Sequence, residues 1–342
     1  MKILVVSNMY PSEKFPSYGV FVRNFCHGLE QNGIDYDLAV MRKATGKVQK
    51  LLGYVKFYGG SFFKSLLGRY DLVYIHYASH SSPAVLLARK FRKFRLFCNL
   101  HGSDAVPENP GQEKMQRFTR SAVRQSQRVI VPSPYFKKLV SEKYSVPMEK
   151  IYVCASGGVD TGVFYPRPAE KNHVFTLGYV GRISAGKGWD TLVEACALLD
   201  RPYRLLVVGD GPERPQMEQL LRERNIPVSQ LGLQPQEKLP EIYSSLDAFA
   251  FPTQRAGESL GLVGLEAMAC GVPVICSDFA APADYVREGV NGFQFRVGDP
   301  KAMANAILRC MDTPLETENI LATARQYCAE EVHKTMKNII TG

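Results

Sequence analysis

Short apolar runs alternate along the chain with longer segments in which apolar residues recur at helical spacing. In the first half, the short and almost continuously apolar runs are KILVVSN, YDLAVM, DLVYIHY, FRLFCNLHG, RVIVPS and IYVCASGG. Such runs are typical of strands that are buried on both faces of a parallel sheet. Because helical segments separate them, the pattern predicts repeated βαβ units and a doubly wound sheet.

The same alternation restarts after a proline-bearing stretch, FYPRPAEKNH, at residues 164–173. FTLGYVG, YRLLVVG, AFAFPT and PVICSD predict a second set of strands, and WDTLVEACALL and VGLEAMACG predict helices between them. A proline-bearing connection of this kind is a typical domain boundary. We therefore expect an α/β protein with two Rossmann-like doubly wound domains, residues 1–168 and 169–324, that face a central cleft with the carboxyl ends of their strands.

The length of the chain and its cysteines limit the number of domains and the cellular compartment that we expect. At 342 residues the chain exceeds the size at which a single hydrophobic core stops growing. Its eight cysteines form no C-x-x-C pair, which favours reduced thiols and a cytoplasmic location. The apolar run at residues 3–6 is too short for a signal peptide, and no run approaches the ~18 apolar residues of a membrane span.

Basic residues are concentrated in the first half of the chain. Residues 1–165 carry 24 Lys and Arg against 11 Asp and Glu, whereas residues 166–342 carry 18 against 22. This asymmetry favours an anionic partner for the first domain. Residues 46–70 mix cations with aromatic rings, so we expect contact with an acceptor or an anionic membrane surface through Lys50, Lys56, Phe57, Phe62, Phe63 and Lys64.

Two other interpretations of this basic segment remain open. It is also compatible with an ordinary helix pair whose charges are solvated. Nucleic acid is the least favoured partner, because we find no stacking platform or nucleic-acid motif beside the charge.

The segment GESLGLVGLEAMACGVPVI places two glutamates, Glu258 and Glu266, on either side of a glycine-bearing turn. If Gly261 and Leu262 open a helix here, their backbone N–H groups and the positive end of the helix dipole suit a diphosphate. The carboxylate of Glu266 would then accept hydrogen bonds from ribose hydroxyls. The alternative is structural: Glu266 is a helix acid stabilised by the dipole, and Glu258 is a loop acid.

A glycine-rich loop follows the first strand of the second half, in YVGRISAGKGWDTLVEA. It carries Arg182 and Lys187 at the carboxyl end of that strand, where a planar guanidinium and a point charge suit a pyrophosphate. The structural alternative is that both are solvated loop charges.

These motifs resemble the double-glutamate pattern of the retaining glycosyltransferases of family 4, also called glycosyl transferases group 1, which have the GT-B fold. The resemblance extends over nearly the whole chain. By this resemblance, His101 in FRLFCNLHGSD contacts the donor sugar, and the catalytic residues are His101, Arg182, Lys187 and Glu258. The residues implied in donor binding are Gly19, Gly181, Arg182, Lys187, Gly232, Leu233, Glu258, Ser259, Leu260, Gly261, Leu262 and Glu266.

The resemblance has further implications and one departure. It implies no metal and no cofactor, since Arg182 and Lys187 neutralise the leaving diphosphate, and it implies a last helix at about 325–342 that packs back on the first domain. Many relatives carry two glycines and an acid in the loop after the first strand, whereas this chain has Tyr18, Gly19, Val20 and Phe21. The loop also lacks the G-x-G-x-x-G of dinucleotide-binding oxidoreductases.

The function implied is a metal-independent, retaining transfer of a sugar from a nucleotide-diphosphate donor to a saccharide or lipid-linked saccharide acceptor. UDP-sugars are favoured over GDP-sugars as donors. The expected setting is synthesis of a bacterial surface polysaccharide or glycolipid, in the cytoplasm or at the inner face of the plasma membrane. The alternatives are a non-hydrolysing nucleotide-sugar epimerase and a nucleotide-binding protein with a degenerate site.

Overall fold

The computed structural model describes residues 1–16, 18–155, 157–169 and 173–342. The chain divides into two compact units, each with its own parallel sheet. Unit 1 consists of Met1–Gly157 together with Val332–Gly342, and unit 2 of Gly158–Glu331.

The sheet of unit 1 is six-stranded, with the strand order β2-β1-β3-β4-β5-β6. Its strands are β1 (Lys2–Tyr10), β2 (Asp35–Arg42), β3 (Leu72–His76), β4 (Leu96–Asn99), β5 (Arg128–Val131) and β6 (Ile151–Val153). The helices between them are α1 (Val20–Gln31), α2 (Lys47–Leu67), α3 (Ala78–Ala88), α4 (Pro110–Gln125) and α5 (Pro134–Tyr144), and the 3₁₀ turn Met148–Lys150 precedes β6. Central strands such as β3 are buried along their whole length, as their continuous apolar runs predict.

The sheet of unit 2 is also six-stranded, with the order β12-β11-β10-β7-β8-β9. Its strands are β7 (Phe175–Val180), β8 (Tyr203–Val208), β9 (Val228–Gln230), β10 (Ala248–Phe251), β11 (Val274–Ser277) and β12 (Gly292–Phe295). The helices are α6 (Trp189–Ala197), α7 (Arg214–Glu223), α8 (Leu239–Ser244), α9 (Leu262–Ala269), α10 (Pro282–Tyr285), α11 (Pro300–Asp312) and α12 (Thr317–Arg325), with a 3₁₀ turn at Gln236–Lys238. Numbered within the unit, this is the doubly wound order 3-2-1-4-5-6, which reverses between β7 and β10.

Three helices begin with the same local signal, a polar cap followed by proline. The side chains of Asn109, Ser133 and Asp299 accept hydrogen bonds from backbone N–H groups in the first turns of α4, α5 and α11. The proline at the next position has no N–H to leave unpaired and already has a helical φ. These starts are therefore determined locally by the sequence.

The last helix differs from the prediction of one continuous helix from about residue 322 or 325 onwards. The structure has two helices, α12 and then α13 (Ala329–Thr341). Between them the backbone of Val159 pairs with the chain on either side of Cys328: Val159 N donates to Tyr327 O at 2.8 Å, and Ala329 N donates to Val159 O at 3.0 Å. These hydrogen bonds take the backbone out of the helix.

The units also divide at a different residue from the predicted boundary at 168. Residues 158–168 belong to unit 2, where the Phe164 ring lies 6.2 Å from that of Tyr243 and Arg167 N donates to Ser244 Oγ. Most of α13 belongs to unit 1, where Val332, Met336, Ile339 and Ile340 are buried. Among the described residues, no helix is both long enough and apolar enough to cross a membrane.

Candidate active site

The candidate site in unit 2 lies where the strand order reverses. β7 and β10 are neighbours there, and each is followed by a loop that carries predicted site residues. In open α/β sheets, ligands bind at the carboxyl ends of the strands on either side of such a reversal. Residues distant in sequence, Lys187 after β7 and Glu258 after β10, are brought together by this topology.

Lys187 and Glu258 form an ion pair. Lys187 Nζ lies 2.6 Å from Glu258 Oε2, and the two side chains are 19% and 15% exposed. Thr253, which is fully buried, donates its hydroxyl to the same carboxylate oxygen at 3.4 Å. The lysine ammonium is thus held at a defined place in a half-buried site, where an anion can reach it.

A close backbone approach fixes the loop that carries Lys187. Gly188, the residue before α6, has φ 72°, and a Cβ added there would lie 1.8 Å from the carbonyl oxygen of Pro252. Only glycine fits this position, because any side chain would collide with backbone that follows β10. The glycine therefore couples the two loops of the site.

Helix α9 begins at Leu262, as predicted, with Gly261 as its N-cap at φ 80°. A left-handed glycine allows the chain to turn directly from the loop into the helix. Of the adjoining predicted residues, Ser259 is half-buried and the side chain of Leu260 is buried. Leu260 can therefore serve a ligand only through its backbone.

Glu266 lies one turn into α9 and is largely buried. The hydroxyl of Tyr243 donates to Glu266 Oε2 at 3.2 Å. Burial raises the pKa of the Glu266 carboxyl to about 7, although the tyrosine hydrogen bond opposes this shift. The carboxyl consequently titrates near neutral pH.

Arg182 lines an open cavity of about 460 Å³ at the ends of β7 and β8. The opposite wall includes the turn Gly209–Gly211 and Leu233, whose side chain is 76% exposed. Gly232 is tied to this wall, since its carbonyl accepts a hydrogen bond from Gly209 N at 2.8 Å. The volume lies in the range of small-molecule sites.

Sequence reasoning missed three contributors to this site: Tyr243, Thr253 and the turn at Gly209–Gly211. The turn was not among the predicted site residues, although it forms a wall of the cavity that Arg182 lines. A signal was present in the sequence, because two glycines, Gly209 and Gly211, directly follow an apolar strand. The structure explains the second, since a Cβ on Gly211 would lie 2.0 Å from Ile183 O in the loop after β7. Tyr243 and Thr253 gave no signal in the sequence.

In unit 1, His101 follows the end of β4. Its backbone N–H, and those of Gly102 and Ala78, donate to the buried carboxylate of Asp104 at 2.9–3.0 Å. His101 Nε2 lies 3.0 Å from Nδ1 of the buried His76. Burial lowers the pKa of the His101 imidazole to about 3, so this ring is neutral at physiological pH.

Gly19 is the N-cap of α1, with φ 78°. A Cβ at this position would lie 2.6 Å from the backbone carbon of Met9, at the end of β1. The glycine thus allows α1 to begin directly against that strand end. Two residues later, the Phe21 ring lies 4.2 Å from the ring of His101.

The residues of α2 that were predicted to contact an acceptor or a membrane differ in their exposure. Lys50, Lys56 and Phe63 are exposed. Phe57 is only 3% exposed, because it packs into the core under β1 and β2, so it is not available to a membrane or an acceptor. Of the remaining two, Phe62 is half-buried with its ring 6.3 Å from that of Phe91, and Lys64 Nζ donates to Leu38 O at 2.8 Å.

The outward face of α2 carries more apolar residues than the prediction named. The large apolar side chains with 59–72% exposure on this helix are Val48, Leu51, Leu52, Val55, Phe63 and Leu67. The inward face has Ser61 and Ser65 beside Phe57. An exposed apolar stripe of this length marks an interaction surface.

Comparison with known protein families gives two adjacent matches. The model described as Glycosyltransferase Family 4 matches residues 19–162, and the model described as Glycosyl transferases group 1 matches residues 166–327. The chain belongs to glycosyltransferase family 4. The resemblance inferred from the motifs is thereby confirmed.

Two relatives of this family-4 chain match it over part of its length. It is 31% identical over 160 residues to the 2-deoxystreptamine glucosyltransferase of Streptomyces kanamyceticus, which is 45% of this chain and 41% of that enzyme. It is 38% identical over 143 residues to the D-inositol 3-phosphate glycosyltransferase of Corynebacterium urealyticum, which is 38% of this chain and 33% of that enzyme. The matched segments thus span less than half the length of either relative.

Solved structures match the family-4 chain over its full length. Sucrose-phosphate synthase from Thermosynechococcus elongatus has a TM-score of 0.79 at 21% identity and covers 99% of this chain and 98% of its own. Anabaena HepE in complex with UDP has a TM-score of 0.76 at 20% identity, with 100% of both chains covered. The predicted GT-B fold, with two Rossmann-like α/β domains, is confirmed.

Proposed function

We propose that this protein is a glycosyltransferase that moves a sugar from a nucleotide-diphosphate donor to a saccharide or lipid-linked saccharide acceptor. The observation that carries the proposal is the Lys187–Glu258 ion pair at the point where the second sheet reverses its strand order. It presents a fixed ammonium beside the start of α9, and an anionic diphosphate is the group that such an arrangement attracts.

Each part of a nucleotide-sugar has a proposed contact in unit 2. Arg182, Lys187 and the N–H groups at the start of α9 bind the diphosphate. The carboxylate of Glu266 accepts from the ribose hydroxyls, and the cavity beside Gly232 and Leu233 takes the base. His101 and Gly19 of unit 1 are proposed to contact the donor sugar and phosphates by the family resemblance alone.

UDP is the proposed donor nucleotide. HepE, which shares the fold, has been solved in complex with UDP and with UDP-glucose. We therefore favour a UDP-sugar over a GDP-sugar.

The proposed reaction retains the configuration of the anomeric carbon. The bond between that carbon and the diphosphate oxygen breaks while the bond to the acceptor oxygen forms on the same face. The departing diphosphate takes the acceptor's proton, and Arg182 and Lys187 stabilise its negative charge without a metal. Glu258 is not assigned as a covalent nucleophile, since its carboxylate is engaged by Lys187.

A thermal-shift panel with UDP, GDP, ADP and their sugar conjugates, with and without magnesium, tests the donor site. At a hundredfold excess over Kd, binding should contribute about 2.7 kcal/mol of stability. A selective, magnesium-independent shift is expected with UDP compounds, and no shift with any nucleotide would contradict the site. NMR of the products then tests the reaction: an inverted anomer would exclude retention, and conversion of the donor sugar without acceptor would indicate an epimerase.

The acceptor is proposed to reach unit 1 at an anionic membrane surface, through the outward face of α2. Six large apolar side chains are exposed there, with Lys47, Lys50 and Lys56 on the same helix. Burial of apolar area at the interface and attraction between lysines and anionic lipid both contribute to the free energy of membrane binding. We propose that the protein acts at the cytoplasmic face of the membrane, in synthesis of a surface polysaccharide or glycolipid.

A further inference from the structure

Asp104 carries a buried carboxyl in unit 1 that the proposed reaction does not use. It lies three residues after His101, in the loop between β4 and α4, and it is fully buried. Acidic side chains are almost never buried to this extent unless they are paired. The partners of this carboxylate are backbone N–H groups.

Three backbone N–H groups from two strand ends donate to the Asp104 carboxylate. Those of His101 and Gly102 donate to Oδ1 at 2.9 Å and 3.0 Å, and that of Ala78 donates to Oδ2 at 3.0 Å. Ala78 is the first residue of α3, and the residue before it makes no side-chain cap. The carboxylate therefore caps α3 from a distance in sequence and ties that helix to the loop that carries His101.

The main chain of Asp104 is itself held by α4. Its carbonyl oxygen accepts from Gln116 Nε2 and Thr119 Oγ1, each at 3.0 Å, and both side chains are buried. Tyr144 of α5 in turn donates its hydroxyl to Gln116 Oε1 at 2.7 Å. Because this support is buried and hydrogen-bonded, the carboxylate cannot move away from His101 without breaking these contacts.

We propose that Asp104 is a positioning residue, whose ionised carboxylate fixes the main chain at His101 and so holds that residue in place for the transferred sugar. An ionised carboxyl can accept from all three N–H groups, whereas a protonated one turns an O–H donor toward them. Charge-assisted hydrogen bonds of this kind are roughly twice as strong as neutral ones. The part of the proposal that concerns the sugar rests on the proposed function, and the part that concerns the loop does not.

The charge of Asp104 changes within an accessible pH range. Burial raises the pKa of its carboxyl to about 6, although the hydrogen bonds from backbone N–H groups oppose this shift. As the pH falls through 6, the carboxyl gains a proton and its hydrogen bonds to His101 and Gly102 should weaken. The other titratable and charged groups on the elements packed around this loop are His76 and Cys98 at the ends of β3 and β4, Tyr77 and His80 at the start of α3, His101 itself, Glu113 and Arg120 of α4, and Lys143 and Tyr144 of α5.

Amide NMR of the full-length protein, with ¹⁵N in histidine and glycine, tests the loop without any substrate. The amide protons of His101 and Gly102 should lie downfield at pH 7.5 and move upfield together on acidification, with a midpoint near pH 6. In Asp104→Asn both should lie upfield at every pH and lack that midpoint, because a neutral amide accepts more weakly and turns an NH₂ group toward the N–H donors. This comparison separates Asp104 from the other titrating groups.

Asp71→Asn is the matched control for the NMR experiment. The Asp71 carboxylate also accepts from a backbone N–H, that of Lys2 at 2.7 Å, but it does so at the opposite end of the same sheet. This variant should keep the wild-type titration of His101 and Gly102. Amide signals that do not titrate in the wild type, or that titrate equally in Asp104→Asn, would overturn the proposal. The wild-type titration remains decisive if Asp104→Asn does not fold.

Kinetics then separate positioning from a purely structural role. At saturating substrates, wild-type kcat should fall with the same midpoint near pH 6 as the amide signals, while KM for the donor changes little because the proposed diphosphate and ribose contacts lie in unit 2. Asp104→Asn should lower kcat roughly tenfold or more at pH 8 and should lack this midpoint. A wild-type pH profile in Asp104→Asn would contradict positioning. Absence of transfer by the wild type with any donor would instead refute the proposed function, and the NMR titration would still decide whether the charge of Asp104 holds the loop.

Discussion

Burial has opposite consequences for two candidate site residues. It lowers the pKa of His101 to about 3 and raises that of Glu266 to about 7, because in both cases the charged form is poorly solvated. His101 is thus neutral throughout the physiological range, whereas Glu266 changes charge within it. The protein's contribution to a pH dependence of donor binding near neutrality should therefore originate at Glu266, in addition to the nucleotide's own phosphate.

UDP affinity should rise by roughly tenfold from pH 6 to pH 8. The carboxylate must be ionised to accept from two ribose hydroxyls, and in the free protein it is mostly protonated below its raised pKa of about 7. Titration calorimetry at pH 6, 7 and 8 measures this change. The variant Glu266→Gln removes the titrating group and should leave only the slope due to the nucleotide's own phosphate; equal slopes in both proteins would refute the assignment.

Replacing Lys187 by alanine should reduce kcat by about 10²- to 10³-fold, the usual effect of losing one stabilising donor at developing negative charge. Lys238→Ala is the matched control, because Lys238 belongs to the same unit and pairs with Glu241 at 3.7 Å on the exposed surface. Steady-state kinetics with saturating acceptor compares the two. Comparable activity in both variants would show that Lys187 has no catalytic role.

The sequence predicted both members of the Lys187–Glu258 pair but not the pair itself. Each residue follows from a local motif next to a strand end. Their contact depends on β7 and β10 being neighbours, and this pairing of strands distant in sequence leaves no local pattern. Tyr243 was not predicted for the same reason, because its contact with Glu266 joins α8 to α9 and has no local sequence pattern.

At the scale of elements, α2 shows which inferences a helical pattern supports. Its cations and aromatic rings predicted an interfacial segment, and its outward face is apolar along the helix. The error at Phe57 arose because Phe57, Ser61 and Ser65 recur at four-residue spacing and face the core together. Which of two apolar faces packs inward is decided by the neighbouring strands.

The substitution Leu52→Glu with Val55→Glu should abolish co-sedimentation with anionic vesicles. Both side chains are more than 60% exposed, so the folded protein should be unaffected while its apolar contact with lipid is lost. Leu198→Glu, at a 51% exposed position in unit 2, is the control. Undiminished binding by the double variant, or no salt-sensitive binding by the wild type, would reject the membrane surface.

The close contact between Gly188, which precedes α6, and the backbone of Pro252, which follows β10, can be tested by substitution. Gly188→Ala should lower the free energy of unfolding by at least about 3 kcal/mol, since overpacking adds to the strain of a left-handed residue. Gly289→Ala is the control: it has φ 69° but nothing within 4 Å of the added Cβ, so about 1 kcal/mol is expected. Denaturant unfolding measures the free energy of unfolding of both variants. Similar losses would contradict the prediction, because they would mean that the backbone at Pro252 shifts to accommodate the added Cβ.

Two strands that the sequence did not predict, β9 and β12, lack the continuous apolar run by which the other strands were recognised. β9 is the half-exposed tripeptide VSQ at the sheet edge, and β12 is GFQF, with a glycine and a glutamine. The break before α13 was missed because it is caused by hydrogen bonds to Val159, far away in the sequence. Buried strands were predictable because burial itself imposes their composition.

At the scale of the whole molecule, the chain leaves unit 1 at Gly157 and returns to it at Val332. Four buried apolar side chains of α13 complete the core of unit 1: Val332, Met336, Ile339 and Ile340. At about 1.5–3 kcal/mol each, their burial is comparable to the whole stability of a typical domain. Unit 2 has a separate core and does not depend on them.

Deletion of residues 332–342 should therefore unfold unit 1 and leave unit 2 intact. Limited proteolysis should cleave within residues 1–157, while UDP should still raise the melting temperature of the remaining fold. Deletion of the exposed residues 341–342 alone is the control and should change neither property. Resistance of the longer deletion to proteolysis would show that α13 is dispensable.

The return of the chain to unit 1 also has a consequence for its biosynthesis. A ribosome adds about 5–20 residues per second, so the segment Gly158–Glu331 takes roughly 10–35 seconds to emerge. During that time the amino-terminal sheet has been made but α13 has not, so the apolar surface of unit 1 that α13 covers remains open to water. We expect the nascent chain to need chaperone protection in this interval, and unit 2 to mature before the half of the protein that was synthesised first.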